Sequence, residues 1–223
     1  MPKLKYKYVI GIDEVGRGAL AGPVTVAALL LPHNFSPCGR PPEGRQFPIS
    51  NFQKKYKIKL KDSKKLSRKQ REIWFKWIKN YSNILKNIRI VYAVASVSPK
   101  IIDKINISNA ANLAATSALK ALIKNYKLRI KNCLVYLDGG LFLNSKFCIL
   151  NSTTVVKGDE KIPAISLASI VAKVSRDRMM RKLHKKYPQY DFINNVGYGT
   201  KKHISAIKKY GRLPIHRKSF MIK

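Results

Sequence analysis

The chain has 223 residues, 45 of them lysine or arginine against 11 acidic, for a formal charge of +34, and its 45% hydrophobic content is that of a globular protein with room for one good core. No apolar run approaches the roughly 18 residues of a membrane span, and the basic start Met1-Pro-Lys-Leu-Lys enters a strand too soon to be an export signal, so a cytoplasmic protein without a membrane partner is expected. Cys38, Cys133 and Cys148 lack CxxC spacing, and His33, His184, His203 and His216 are scattered, which speaks against a disulfide framework or a zinc site.

In chain order, Lys5 to Ile12 and Val24 to Leu31 are apolar, β-branched runs that read as a hairpin around a glycine loop. A long surface loop follows, over 36–59, rich in Pro, Gly and lysine. Ser67 is the expected N-cap of a helix from Arg68, with Ile73, Trp74, Trp77 and Ile78 on its apolar face. Ile88 to Val97 is a strand, Pro99 to Ile105 a short helix, and Ser108 to Asn125 a longer one with Leu113, Ala114, Ser117, Ala121 and Leu122 expected inward. Cys133 to Leu137 is a strand ending in Asp138-Gly139-Gly140, and Thr153 to Lys157 another that runs into Gly158-Asp159.

A helix from Ile162 to His184 is apolar all round in its first half, as for burial against a sheet, and basic in its second. Asp191 to Gly199 is a loop, Lys201 to Tyr210 the last helix, and Leu213 to Lys223 a basic tail. Strands first, then strands mixed with helices, predict an α/β domain with a mixed central sheet flanked by helices. The expected division is a main domain over 1–183 and a basic C-terminal helical extension over 184–223.

The charge attracts a phosphate backbone, giving affinity that is largely independent of sequence. It also reflects a lysine-, asparagine- and isoleucine-rich composition, such as A- and T-rich codons produce. Charge therefore supports a nucleic-acid partner without identifying a reaction, and a non-catalytic basic nucleic-acid-binding protein is the alternative to an enzyme.

Against that background, carboxylates at the ends of apolar strands are scarce and informative. Asp13, Glu14, Asp138 and Asp159 each fall where an apolar run gives way to glycine or a turn, and sheet formation can converge them from distant segments. Crowded carboxylates repel, and bound divalent cations relieve the repulsion. Hard oxygen ligands without a His/Cys cluster point to Mg2+ or Mn2+. Two such ions 3.5 to 4 Å apart would support in-line displacement at phosphorus. Taken alone, Asp13 and Glu14 read as well as a turn whose acids cap nearby amides, and Asp138-Gly139 as an ordinary turn; only the joint pattern favours a site.

The motifs Gly11-Ile-Asp-Glu-Val-Gly-Arg-Gly18, Asp62-Ser-Lys-Lys-Leu-Ser67, Leu137-Asp-Gly139, Lys157-Gly-Asp159 with Ala168-Ser-Ile-Val-Ala-Lys-Val174 and Arg176-Asp177, Gly197-Tyr-Gly-Thr200 with His203, and His216-Arg-Lys-Ser-Phe220 resemble the ribonuclease HII family, in its order and over nearly the whole chain. The resemblance implies a ribonuclease H-like fold and an endoribonuclease that hydrolyses RNA in RNA/DNA hybrids and incises duplex DNA at embedded ribonucleotides, leaving 3'-hydroxyl and 5'-phosphate ends. It carries the metal-binding and catalytic roles onto Asp13, Glu14, Asp138 and Asp159 and leaves Asp177 structural.

It also implies that Gly16, Arg17 and Gly18 read the ribose 2'-hydroxyl and that Tyr198 stacks on the neighbouring deoxyribose. Lys64, Lys65 and Lys173 are then candidate phosphate contacts, and Ser169 either approaches the scissile region or permits close packing. Val15, Ala19 and Val196 depart from the family pattern, where alanine, proline and lysine are usual. No apolar stripe argues for obligate assembly, so a monomer is expected.

Overall fold

The computed structural model describes residues 6–33, 53, 56–60, 63–84, 90–144 and 151–222. Most of the 36–59 loop, Asp62, Cys38 and Cys148 lie outside these. Five strands, β1 (Tyr8–Val15), β2 (Val24–Pro32), β3 (Val91–Val97), β4 (Cys133–Asp138) and β5 (Ser152–Val155), form one sheet in the order β3-β2-β1-β4-β5. β1, β2 and β3 pair antiparallel, while β4 and β5 add in parallel to β1, so the sheet is mixed, as expected. The parallel addition of β4 to β1 needs a crossover, and the helices between β3 and β4 supply it.

Among the described residues the α-helices are α1 (Arg68–Ile84), α2 (Pro99–Ile105), α3 (Ile107–Tyr126), α4 (Gly158–Lys161), α5 (Pro163–Lys186), α6 (Phe192–Asn195) and α7 (Lys201–Tyr210). α1 starts at a reciprocal capping box: Ser67 Oγ accepts from the Gln70 amide at 3.2 Å, and Gln70 Oε1 accepts from the Ser67 amide at 2.8 Å. Ser67 is thus the cap expected of it. α6 occupies part of the 191–199 segment read as loop, because Phe192 is fully buried and anchors a helical turn.

The sheet is covered on both faces. On one, α3 packs on Ile10, Ile12, Val26, Ala28 and Val135 through Ala110, Ala111, Ala114, Ala115, Ala118 and Leu122. The inward expectation for Leu113 is wrong: it is 45% exposed, because the alanines let the helix axis approach the sheet and a leucine would hold it off. On the other face, α1 and α5 bury Trp74, Ile78, Leu167, Ile170 and Val171 against Ala27, Leu29 and Leu31. β2 is buried along nearly its whole length, which explains its unbroken apolar run.

α5 can lie directly on β1 only because residue 11 is glycine. A Cβ there would collide with the backbone at Ala164 and Ile165. A third cluster, of Ala21, Met180, Tyr190, Phe192, Ala206 and Ile207, joins the C-terminal half of α5, α6 and α7 to the glycine loop after β1.

Candidate active site

Parallel pairing of β1 with β4 places Ile12 opposite Leu137, so the residues that follow, Asp13 and Asp138, leave neighbouring strands at the same level. Glu14 comes next on β1. Ligand oxygens of Asp13, Glu14 and Asp138 lie within 4.8 Å of one another. Asp159 stands outside this group of oxygens, buried on α4 beside it; the amide of Gly158 donates to Asp138 Oδ1 at 2.8 Å and so ties α4 to the end of β4.

The electrostatics of the group are unfavourable as it stands. Burial, then the adjacent Glu14 and Asp138 charges, hold the Asp13 carboxyl well above its ordinary value, although Ser169 and the Glu14 amide donate to it. Burial also raises Glu14, against the opposing pull of Arg17. Glu14 Oε2 is buried with no hydrogen-bond partner among the described residues. An orphaned buried oxygen and mutually repelling acids are what a hard divalent cation satisfies, so the donor set fits one.

Arg17 bridges three elements. Its Nη1 donates to Glu14 Oε1 and to the Gly140 carbonyl, each at 3.3 Å, and its Nη2 to Ser108 Oγ on α3 at 3.2 Å. Ser108 was not singled out from sequence, where nothing distinguishes it from other serines near a helix start. Gly16 is in the left-handed region, at φ 91°, and a Cβ would run into the Arg176 side chain. Gly18 differs, since it has ordinary φ and a Cβ would meet nothing within 4 Å. Neither conformation nor crowding requires glycine there.

Ser169 Oγ lies 2.7 Å from Ser63 Oγ, behind Asp13. Either hydroxyl of this pair can be the donor. Lys173 pairs with Asp177 at 3.0 Å, and Lys65 with Glu160 at 2.6 Å. The Lys64 side chain lies outside the described part. Tyr198 is half-buried, its ring centroid 5.5 Å from Arg176 Cζ and 5.9 Å from Lys173 Nζ.

Two fully buried arginines hold these parts together. Arg176 donates to the carbonyls of Pro23, Ala21 and Val196, at 3.0, 3.0 and 2.7 Å. Arg217 donates to those of Gly16, Arg17 and Gly22, at 2.6, 2.7 and 3.0 Å. Sequence reasoning gave neither a role. Both stood inside recognised motifs, which was the only signal available.

The mixed sheet flanked by helices, with three carboxylates gathered at the ends of its central strands, is an α/β fold of the ribonuclease H-like class. The family model for ribonuclease HII matches residues 10–39 and 47–223. The ribonuclease HII of Endomicrobium trichonymphae is 42% identical over 95% of this chain and 84% of its own length. That of Pelagibacter ubique is 41% identical over 96% of both. The crystal structure of ribonuclease H2 from Pyrococcus horikoshii OT3 superposes with a TM-score of 0.63 at 27% identity, covering 96% of this chain and 94% of that one. The chain belongs to the ribonuclease HII family and is an enzyme of that type. No described helix is long and apolar enough to cross a membrane.

Proposed function

We propose that the enzyme hydrolyses the RNA strand of RNA/DNA hybrids and incises duplex DNA at embedded ribonucleotides, with Asp13, Glu14, Asp138 and Asp159 holding two Mg2+ or Mn2+ ions. Water adds to phosphorus as the bond from phosphorus to the 3' oxygen breaks, which leaves a 3'-hydroxyl and a 5'-phosphate. When bound, the ions supply activation of the water and stabilisation of the leaving oxygen. The observation that carries this reading is the convergence of Asp13, Glu14 and Asp138 within 4.8 Å, with a buried Glu14 oxygen unsatisfied.

The protein's own groups position the substrate. Arg17, with the open face of Gly18 and the backbone of Gly16, reads the ribose 2'-hydroxyl, the group that distinguishes RNA from DNA. Tyr198 stacks on the deoxyribose beside it, with the cations of Lys173 and Arg176 near its ring. Lys64, Lys65 and Lys173 receive phosphates, the last two by exchanging the carboxylates they now hold. Ser169 acts behind the metal centre by orienting Asp13, with Ser63 orienting Ser169. The protein works as a cytoplasmic monomer, with residues 1–183 as catalytic domain and 184–223 as its basic extension.

The test is cleavage of a DNA duplex carrying one ribonucleotide, with and without Mg2+, beside the same duplex in all-DNA form. Metal-dependent cleavage of the first alone, lost in Asp13→Asn with duplex binding kept, is expected. Equal turnover of both duplexes would refute the assigned substrate, and an unaffected Asp13→Asn the assigned site.

A further inference from the structure

His203 on α7 and His216 in the C-terminal segment are both buried, at 0% and 2% exposure, and their Nε2 atoms lie 3.1 Å apart. The outer nitrogens settle which of them donates. His203 Nδ1 lies 2.9 Å from the carbonyl oxygen of Tyr198, which only accepts, so this nitrogen carries a proton. His216 Nδ1 accepts the amide proton of Leu213 at 2.8 Å, so this one does not. For two neutral rings, each end independently demands the same middle bond, from His216 Nε2–H to His203 Nε2. The contacts therefore form a single directed chain, from the Leu213 amide through His216 and His203 to the Tyr198 carbonyl.

The surroundings keep the rings neutral. Tyr190 and Phe192 enclose them, with Phe192 edge-on to His203 at 5.3 Å and Tyr190 against His216 at 5.2 Å. Burial lowers both histidines, and His216, also opposed by His203 and Arg212, falls to about 4. The segment that the chain reaches needs holding. Val196 sits in the left-handed region at φ 43°, costly for a β-branched residue, and Gly197 follows at φ 86°. Arg176 secures the Val196 carbonyl, Asn195 Oδ1 the Gly197 amide at 2.8 Å, and His203 the carbonyl of Tyr198 itself.

We infer that His203 and His216 are positioning residues for Tyr198: they fix its backbone, and with it the ring, at the height where an adjacent sugar is tested for a 2'-hydroxyl. The inference rests on the proposed stacking role of Tyr198. The histidines touch no substrate. Their effect falls on the preference for a ribonucleotide followed by deoxyribose over a continuous RNA strand.

Two substitutions divide the chain. In His203→Asn the side-chain amide takes the place of Nδ1–H and still donates to Tyr198. In His203→Gln the amide sits where Nε2 was, so it meets His216 and leaves the Tyr198 carbonyl without that donor. The readout is the ratio of kcat/KM on a duplex with one ribonucleotide to kcat/KM on a continuous RNA/DNA hybrid. His203→Gln is expected to lower this ratio on the order of ten-fold, the value of one hydrogen bond, and His203→Asn to rescue most of it.

Equal ratios in both variants, or losses that follow only the melting temperature, would overturn the inference. Tyr198→Ala separates it from the reading beneath: if that variant keeps the wild-type ratio, the stacking role fails; if it lowers the ratio and folded His203→Gln does not, the relay fails. Should His203→Gln not fold, imidazole 15N shifts of the wild type decide. Expected are a proton on His203 Nδ1 and another on His216 Nε2; the opposite tautomer at either ring would refute the chain.

Discussion

Arg17 donates to the carboxylate of Glu14 at 3.3 Å, so a side chain assigned to sugar recognition touches one assigned to cation binding. The same guanidinium reaches Ser108 on α3 and the carbonyl of Gly140 beyond β4. The acceptors are divided between Nη1 and Nη2, two nitrogens fixed in one plane, where a lysine ammonium offers a single nitrogen. Arg17→Lys is therefore expected to lose most of the preference for a ribonucleotide, nearly as much as Arg17→Ala. Cleavage of single-ribonucleotide and hybrid substrates measures this; a Lys variant with wild-type preference would show that charge alone suffices.

The repulsion among Asp13, Glu14 and Asp138 is a cost the fold carries for function. Asp13→Asn keeps an oxygen to accept from Ser169 and the Glu14 amide while removing a buried charge. Without metal, the variant is expected to be more stable than wild type by on the order of 1 kcal/mol, about 2–4 °C for a chain of this size. Adding Mg2+ should raise the wild-type melting temperature and leave that of the variant nearly unchanged. A variant less stable than metal-free wild type would mean that Asp13 is not strained in the folded state.

Glycines of the first motif separate structural from ligand-facing roles. Gly11→Ala drives a methyl into the backbone of α5, which cannot move without parting from β1, so the variant is expected to fold poorly or not at all. Gly18→Ala meets nothing within the protein and is expected to melt within about 0.5 kcal/mol of wild type. Its KM for ribonucleotide-containing duplex should nevertheless rise several-fold, because the proposed contact brings the sugar to the space that the methyl fills. Thermal melts with steady-state kinetics check both; an unchanged KM for Gly18→Ala would take this glycine out of the substrate contact.

Much of this was legible from residues alone where the physical signal is local. The alternation of strand and turn placed β1, β2 and β4, and acids at strand ends in so basic a chain pointed to Asp13, Glu14 and Asp138, whose oxygens the fold brings together. Hydrophobicity alone points Leu113 inward on α3, whereas close helix–sheet contact selects for small size and puts alanines there. Arg176 and Arg217 were passed over for a different reason. Their partners are backbone carbonyls, which every residue carries, so no sequence pattern distinguishes a fully buried arginine from one on a basic surface. The histidine pair was equally hidden, since its members are brought together by the turn after α7 and by the bridge between Ala21 and His216.

The same pair predicts how stability depends on pH. His216 has a folded value of about 4 against an ordinary 6.5. Between these limits the unfolded chain binds a proton that the folded one refuses, so stability is full above about 6.5 and declines as pH falls toward 4. The difference of some 2.5 units at a side chain only 2% exposed corresponds to roughly 3 kcal/mol. Asp13 and Glu14, whose values are raised, contribute with the opposite sign, as their protonation favours the fold. That contribution is common to wild type and His216→Gln, and comparing the two removes it. Denaturant unfolding from pH 7 to pH 4 is expected to show wild type losing its advantage over the variant progressively, by an amount of that order. A constant gap across the range would show that the histidine accepts its proton without disturbing the bond from the Leu213 amide, which the geometry at 2.8 Å forbids.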